Sequence, residues 1–600
     1  MTSLKRFRGK RERLRFLTYD LEWIPRELKV RLVGVFDGQR YRRYPTAYEF
    51  LRGELTSANR NCVFFAHAGG LADVQFILEA FIERDAPGFQ LDGHWSGSSL
   101  VICSIKRGRN RWTFVDSFWL LRDSLAKIGA SLGMVKGGAD YFCPSFPHCG
   151  HETSGRADKS TCIFYAPLPI LADYNALDCR ILYAAIQRFE SEVFALGGSL
   201  KMTIASTAMH LFRSAFLKRD IPIDKFLNVV ARQAYIASRV EVIRRTCDSA
   251  GYYDINSSFP WSMTKPQPGR LLSSKAHYIE GERLVLVDAE VSIPETYVPP
   301  VPMRVDGRVF FPTGRFRRWF VGEDLELILD AGGAILKVFD AMRFEPFDDM
   351  AAYVTIIYEM RRRTTDPFRR LVYKYLMNSL YGKFGEGEEK SGLLVHPRKP
   401  PDEEDIVKVY RAGVYQVRKD VDLKHNHVPI AANITASSRA KLTRHMWEAT
   451  KSGGEIYYLD TDSLTTTADL PVSDQLGDLK REFDIDKGTF LAPKLYRIHP
   501  GPKIRAKGFR SLTSEEFDRL AEGDAVSIER MIRIRENLGS GQIKPRERTY
   551  VKRTLSHLSP EELDRLGFHG ERAIRPKRDM QSDGDSRPWA FEELTKYSEK

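Results

Sequence analysis

The chain has 600 residues, 42% hydrophobic and 28% charged, which is too long for one small module and too evenly balanced for a disordered or fibrous protein. At about 100–200 residues per domain, it predicts roughly three to five packed units. Its 92 Lys and Arg against 79 Asp and Glu leave a formal charge of +13, which favours a polyanionic partner, either nucleic acid or an anionic membrane.

In chain order, the basic stretch 5–15 is expected to be a flexible tail, without the apolar run that would make it a signal peptide. Alternation over 14–26 predicts a strand, VFFAH at 63–67 and SLVICSI at 99–105 predict two more, and helical patterns follow over 117–133 and 169–190. These elements read as one α/β unit. Residues 200–230 are expected to be helical, while 235–243 and 250–260 predict strands. Two charged amphipathic helices, 348–363 and 366–384, are expected to pair antiparallel, and 455–468 predicts two strands around an acidic turn. The last hundred residues are weakly periodic, and 581–600 are expected to be partly mobile.

No stretch approaches the run of about 18 apolar residues that spans a bilayer, so nucleic acid is the expected partner, with no membrane. Seven cysteines, an odd number, point to a reducing compartment and a cytoplasmic location, in the host cell if the gene is viral or plasmid-borne.

Carboxylates carry the chemistry. Asp20 and Glu22 stand two apart on a predicted strand and share a face; Tyr174 and Asp178 stand four apart on one face of a predicted helix; Asp73 follows a Gly-rich turn. Several carboxylates with one phenol suit two-metal phosphodiester hydrolysis, because hard Mg²⁺ takes oxygen ligands and activates water. Further along, Asp254 ends a predicted strand, and Asp460 and Asp462 straddle one residue in a predicted turn. Such close acids repel each other, which a site for two divalent cations that clamp a triphosphate would explain. Arg370, Lys374, Asn378 and Tyr381 follow at steps of four, four and three, making one polar stripe on an otherwise apolar helix.

The first group resembles the DEDD-type proofreading 3′–5′ exonuclease domain, with Asp20-Leu21-Glu22, Asp73 and Tyr174…Asp178 in its three motifs. That family's second motif carries Asn where this chain has Ala68 and an aromatic where it has Ala72, so proofreading is expected to be weakened with the metal ligands complete. The second group resembles motifs A, B and C of family B DNA polymerases: Asp254 through Pro260, Lys374 through Gly382, and Tyr458 through Ser463. Motif A departs at Ser258 and at Phe259, which stands for the Tyr that excludes ribonucleotides; the ring is kept, so steric exclusion is expected to survive. Lys494-Leu495-Tyr496, Thr435 through Arg439, and Tyr235 through Ser238 resemble motifs of the protein-primed subgroup found in phages, linear plasmids and mobile elements, where the first contacts the primer end.

The resemblance implies a multidomain α/β and α+β chain, with an RNase H-like exonuclease domain and a right-hand polymerase carrying inserted subdomains. Its parts would be an exonuclease over 1–190, palm over 191–265 and 429–525, a palm insertion over 266–350 where a terminal protein would dock, fingers over 351–386, a second insertion over 387–428 for strand displacement and processivity, and thumb with tail over 526–600. It implies two Mg²⁺ or Mn²⁺ ions in each active site. Asp254, Asp462 and the Ile255 carbonyl, with Asp460 in support, would hold those of the palm, and Asp20, Glu22 and Asp178 those of the nuclease. DNA template, primer strand and dNTPs would be substrates, contacted by Ser257, Phe259, Arg370, Lys374, Asn378, Tyr381, Lys494 and Tyr496. The alternatives are a family B polymerase using a nucleic-acid primer or none, and, in another class, a non-catalytic basic DNA-binding protein.

Other features carry less. Cys143, His148, Cys149, His151 and Cys162 cluster, but their spacing fits no common zinc finger and ordinary structure is expected. Arg361, Arg362 and Arg363 read equally as phosphate-facing or as a solvated helix end, and Lys503, Lys507 and Arg510 are expected to track a DNA backbone.

Overall fold

The computed structural model describes residues 2–24, 27–70, 72–83, 88–97, 99–136, 163–236, 238–275, 277–421, 423–500, 503–509, 512–568 and 576–596. The cysteine and histidine cluster at 143–162 and Arg510 lie outside them.

Strand Phe16–Ile24 is buried along nearly its whole length, because it lies inside a sheet covered on both faces. It pairs parallel with Val63–Ala66, which pairs parallel with Asn110–Asp116, and antiparallel with Lys29–Phe36. Helices Asp73–Glu83 and Leu168–Ala195 pack on this sheet, and Tyr19, Phe50, Phe64 and Phe114 interlock beneath it with ring centroids 5.0–6.3 Å apart. The outer strand Gln90–Ser96 is not an open edge. Strand Glu389–Val395, from the expected second insertion, pairs with it antiparallel (Gly392↔His94, Val395↔Leu91), and hairpin Ile406–Arg411/Val414–Asp420 extends the sheet to ten strands. Two segments some 300 residues apart in sequence thus share one sheet.

A second, five-stranded antiparallel sheet runs in the order Val240–Val242, Ile456–Asp460, Ser463–Thr466, Ala250–Ile255, Leu479–Ile485. Helix Val428–Lys451 lies under it; small residues along its first half (Ala431, Ala432, Ala436, Ser437, Ser438, Ala440) let it be buried from all sides. The expected palm insertion is a four-stranded sheet of Gln267–Ser273, Ala334–Phe347, Val285–Ile293 and Gly314–Val321. Helices Asp349–Arg363 and Pro367–Ser379 pack side by side as expected, the second capped by Asp366, which accepts from the Arg369 amide.

Several expectations are corrected. The helix over 117–133 is a 3₁₀ turn at Ser117–Trp119 and a separate helix Leu125–Ser131, whose cap Ser124 accepts from the Lys127 amide and so starts a new helix there. Residues 200–230 break into helix Ile204–Leu211, a π turn Phe212–Phe216, strand Ile221–Ile223 and helix Lys225–Ala234. Of 235–243, only Val240–Val242 is a strand.

The basic N-terminal stretch is docked rather than loose. Thr2–Leu4 pairs with Ile221–Ile223, the Phe7 ring lies 4.4 Å from His210, and the Leu14 amide donates to Glu190 at 2.5 Å. The C-terminal stretch is docked as far as 596. Ser586 Oγ donates to the Ile243 carbonyl at 2.5 Å, Asp585 accepts from Tyr297 Oη and Arg244, and Phe591 packs 5.4 Å from Phe316 of the insertion sheet. In both stretches the partners lie far away in sequence, which local periodicity does not reveal.

Candidate active sites

Asp254 is the fifth residue of strand Ala250–Ile255 and sits opposite Ser463. Asp462 lies in the two-residue turn joining Ile456–Asp460 to Ser463–Thr466, a turn made possible by Thr461 in the left-handed region (φ 70°). The Ile255 amide donates to the Asp462 carbonyl at 2.9 Å, tying the end of the strand that carries Asp254 to the turn that carries Asp462. Burial, then Glu482, pushes Asp254 up to about 6; burial, then Asp254 and Asp460, pushes Asp462 up to about 7.

Asp460 has a different role in the charge balance, since Lys494 Nζ binds both its oxygens at 2.6 and 2.8 Å. Lys494 therefore faces the acidic turn, and its amide donates to Tyr458 Oη at 2.8 Å. The Tyr496 ring is buried against Tyr458 and Phe490, with centroids 5.0 and 5.8 Å away.

A cleft of about 940 Å³ opens over Asp254 and Asp462. Arg370, Lys374 and Asn378 line it from one face of helix Pro367–Ser379, and Tyr381 joins them from the following 3₁₀ turn. Phe259 stacks on Tyr381 with ring centroids 4.4 Å apart and planes 19° from parallel. Ser257, itself left-handed (φ 56°), receives a 3.5 Å contact from Arg361 Nη1. The arginine triplet divides: Arg361 and Arg362 line the cleft and Arg363 does not, while Arg362 and Arg363 are both exposed and pair with Glu359 at 3.3 and 3.4 Å. Glu482 and Tyr358 also line the cleft; nothing in their sequence surroundings marks them.

The second acidic cluster gathers all five of its expected residues. Asp20 and Glu22 stand on one face of strand Phe16–Ile24, Asp178 and Tyr174 on helix Leu168–Ala195, and Asp73 at the start of helix Asp73–Glu83. Burial, then the neighbouring Asp178, pushes Asp20 up to about 7; Glu22 and Asp73 are raised by burial and by Asp20. Lys136 Nζ binds Asp178 Oδ2 at 2.5 Å and lies 5.0 Å from the Tyr174 ring centroid, while the buried Asp178 Oδ1 has no hydrogen-bond partner among the described residues. Lys136 was not legible in the sequence because it is 42 residues from Asp178 and in no motif. Ala68 is left-handed (φ 59°), and the adjoining His67 bonds Ser117 Oγ and the Asp123 carbonyl, burial holding its imidazole down to about 4.

Both clusters offer only hard oxygen donors. The raised carboxylates of the first and the orphaned Asp178 oxygen of the second fit divalent cations.

A family model described as DNA polymerase type B, organellar and viral, matches residues 168–456. Relatives include a probable DNA polymerase of Podospora anserina, 25% identical over 419 residues covering 59% of this chain and 35% of the relative. The DNA-directed DNA polymerase of Enterobacteria phage PRD1 is 22% identical over 365 residues, covering 56% of this chain and 62% of the relative. The chain spans about a third of the length of the fungal relatives it matches first. Among solved structures, Phi29 DNA polymerase complexed with primer-template DNA and incoming nucleotide matches with a TM-score of 0.68 at 16% identity, over 90% of this chain and all of the other. That likeness establishes the multidomain fold.

Proposed function

We propose that the chain, which is similar to the type B DNA polymerases of the organellar and viral kind over residues 168–456, is a DNA-directed, protein-primed DNA polymerase with a 3′–5′ exonuclease in the same chain. One observation carries the polymerase reading: the half-buried acids Asp254 and Asp462, from one sheet, and the cationic stripe Arg370–Lys374, from a helix, converge on one cleft.

In the palm, Asp254, Asp462 and the Ile255 carbonyl would hold Mg²⁺ or Mn²⁺, two ions in all, with Asp460 in support. When bound, these cations neutralise the triphosphate and lower the pKa of the attacking 3′-hydroxyl. Lys374 and Arg370 draw the triphosphate into the cleft by charge, Asn378 and Tyr381 shape the wall against the new base pair, and Phe259 fills the space of a ribose 2′-hydroxyl. In the nuclease, Asp20, Glu22 and Asp178 would hold the cations, with Asp73 completing the acidic set and Tyr174 orienting water. A terminal protein bearing the priming hydroxyl would dock on the insertion over 266–350, where Leu336, Val338 and Phe339 are exposed.

The test is extension of a 5′-labelled primer on a long single-stranded template with Mg²⁺ and dNTPs, run beside a candidate priming protein with labelled dNTP. Extension with label transferred to protein supports the whole reading. Asp254→Ala or Asp462→Ala is expected to abolish extension and spare degradation, and Asp20→Ala with Glu22→Ala the reverse. Extension by either palm variant overturns the palm assignment.

A further inference from the structure

Asn175 is completely buried in the nuclease cluster, on the face of helix Leu168–Ala195 that also carries Asp178. Its Nδ2 donates to Asp20 Oδ2 at 3.0 Å, the Asp20 carbonyl at 3.2 Å and Glu22 Oε1 at 3.3 Å. Its Oδ1 accepts from Tyr41 Oη at 3.0 Å and faces Cys179 Sγ at 3.8 Å. Every neighbour of Nδ2 is an acceptor and every neighbour of Oδ1 a donor, so the amide has one satisfied orientation.

The backbone reserves the space for it. Gly34 pairs with Asp20 across the sheet, and a Cβ there would lie 1.7 Å from Asn175 Oδ1 and 2.7 Å from Tyr41 Oη. No larger residue fits without displacing the amide.

We propose that Asn175 is a positioning residue of the nuclease site: oriented by Tyr41, its amide fixes the carboxylates of Asp20 and Glu22 in the arrangement that takes a divalent cation. This rests on the exonuclease reading above. Asp20 and Glu22 repel each other, and something must hold both in one rotamer before a cation arrives. A lysine or arginine would do so but would also cancel the charge that attracts the cation. An amide is a neutral donor, so it organises the acids and leaves their charge intact, as outer partners of metal ligands do.

The experiment uses the full chain with Asp254→Asn and Asp462→Asn, so that bound Mn²⁺ reports the nuclease cluster. Mn²⁺ binding is followed by electron paramagnetic resonance, and degradation of a single-stranded oligonucleotide is measured in parallel. Asn175→Leu, close in volume and without a donor, is expected to weaken Mn²⁺ binding by about 10–100-fold. It should lower kcat for degradation with KM for the oligonucleotide unchanged. Tyr41→Phe, which removes one oxygen, is expected to weaken binding by roughly 2–10-fold. In the chain with an intact palm, primer extension by Asn175→Leu should stay at the parent level, which certifies its fold. Parent-level Mn²⁺ binding by Asn175→Leu with extension intact overturns the proposal; if that variant misfolds, parent-level binding by Tyr41→Phe does so. The exonuclease reading fails separately, if the parent chain degrades no DNA; the Mn²⁺ titration then still decides the role of Asn175.

Discussion

Lys494 Nζ grips both carboxylate oxygens of Asp460, at 2.6 and 2.8 Å, while Asp462, two residues on, faces the cleft with no cationic side chain among the described residues bound to it. The acidic turn is thus split into one neutralised carboxylate and one available to a metal. Lys494→Ala should leave Asp460 bare beside Asp254 and Asp462 and lower the extension rate by about 10–100-fold, with Lys494→Arg retaining most of it. Single-turnover extension over a Mg²⁺ series measures this; an unchanged rate in Lys494→Ala would show that the pair is incidental.

Asp254 and Asp462 are expected to make stability depend on pH and on divalent cations together. Burial, then Glu482, raises Asp254 to about 6, and burial, then Asp254 and Asp460, raises Asp462 to about 7, from an ordinary 3.8, so the folded chain holds protons that the unfolded chain releases. Their contribution to stability is whole below pH 3.8 and is lost as pH rises through 6 to 7. In chelator, the unfolding midpoint should fall between pH 5.5 and 8, and Asp462→Asn should reduce that fall by roughly 2–4 °C. Mg²⁺ at pH 8 should raise the midpoint of the parent more than that of the variant, as differential scanning fluorimetry would report.

Ala68 occupies the left-handed region, where Asn is far more at ease than Ala. Ala68→Asn should therefore fold at least as well as the parent. It should also add a polar contact for a single-stranded 3′ end, lowering KM for digestion by about 3–10-fold. Steady-state digestion of a labelled oligonucleotide checks this, and a raised KM would refute it.

Arg439 belongs to the interior, not to a DNA-facing surface. It donates to the Ile236 carbonyl at 2.7 Å and to Asp324 at 2.9 Å, and Asp324 also binds Arg318 at 2.9 Å, all buried. Asp324→Asn leaves two buried guanidiniums without a counter-charge and should cost about 3–5 kcal/mol. The salt dependence of DNA binding by the folded fraction should not change, because no phosphate contact is lost. Denaturant unfolding and fluorescence anisotropy over a NaCl series separate the two effects.

The carboxylates, the polar stripe and the strands and helices that carry them are legible before folding, because they depend on spacings of two, three and four residues that local geometry converts directly into shared faces. Asp20 with Glu22, Tyr174 with Asp178, and Arg370 with Lys374 and Asn378 are of this kind. Tertiary structure alone decided which partner each charge takes. Lys494 turned to Asp460, Lys136 to Asp178 and Arg439 to Asp324, and Asn175 was joined to Tyr41 across two strands. It also decided that residues 389–420 extend the sheet of Phe16–Ile24 to ten strands and that both ends of the described chain are docked. Such pairings join residues dozens to hundreds of positions apart, and they are fixed by what burial leaves unsatisfied: an open sheet edge, an apolar face or a desolvated charge, none of which exists until the chain has folded.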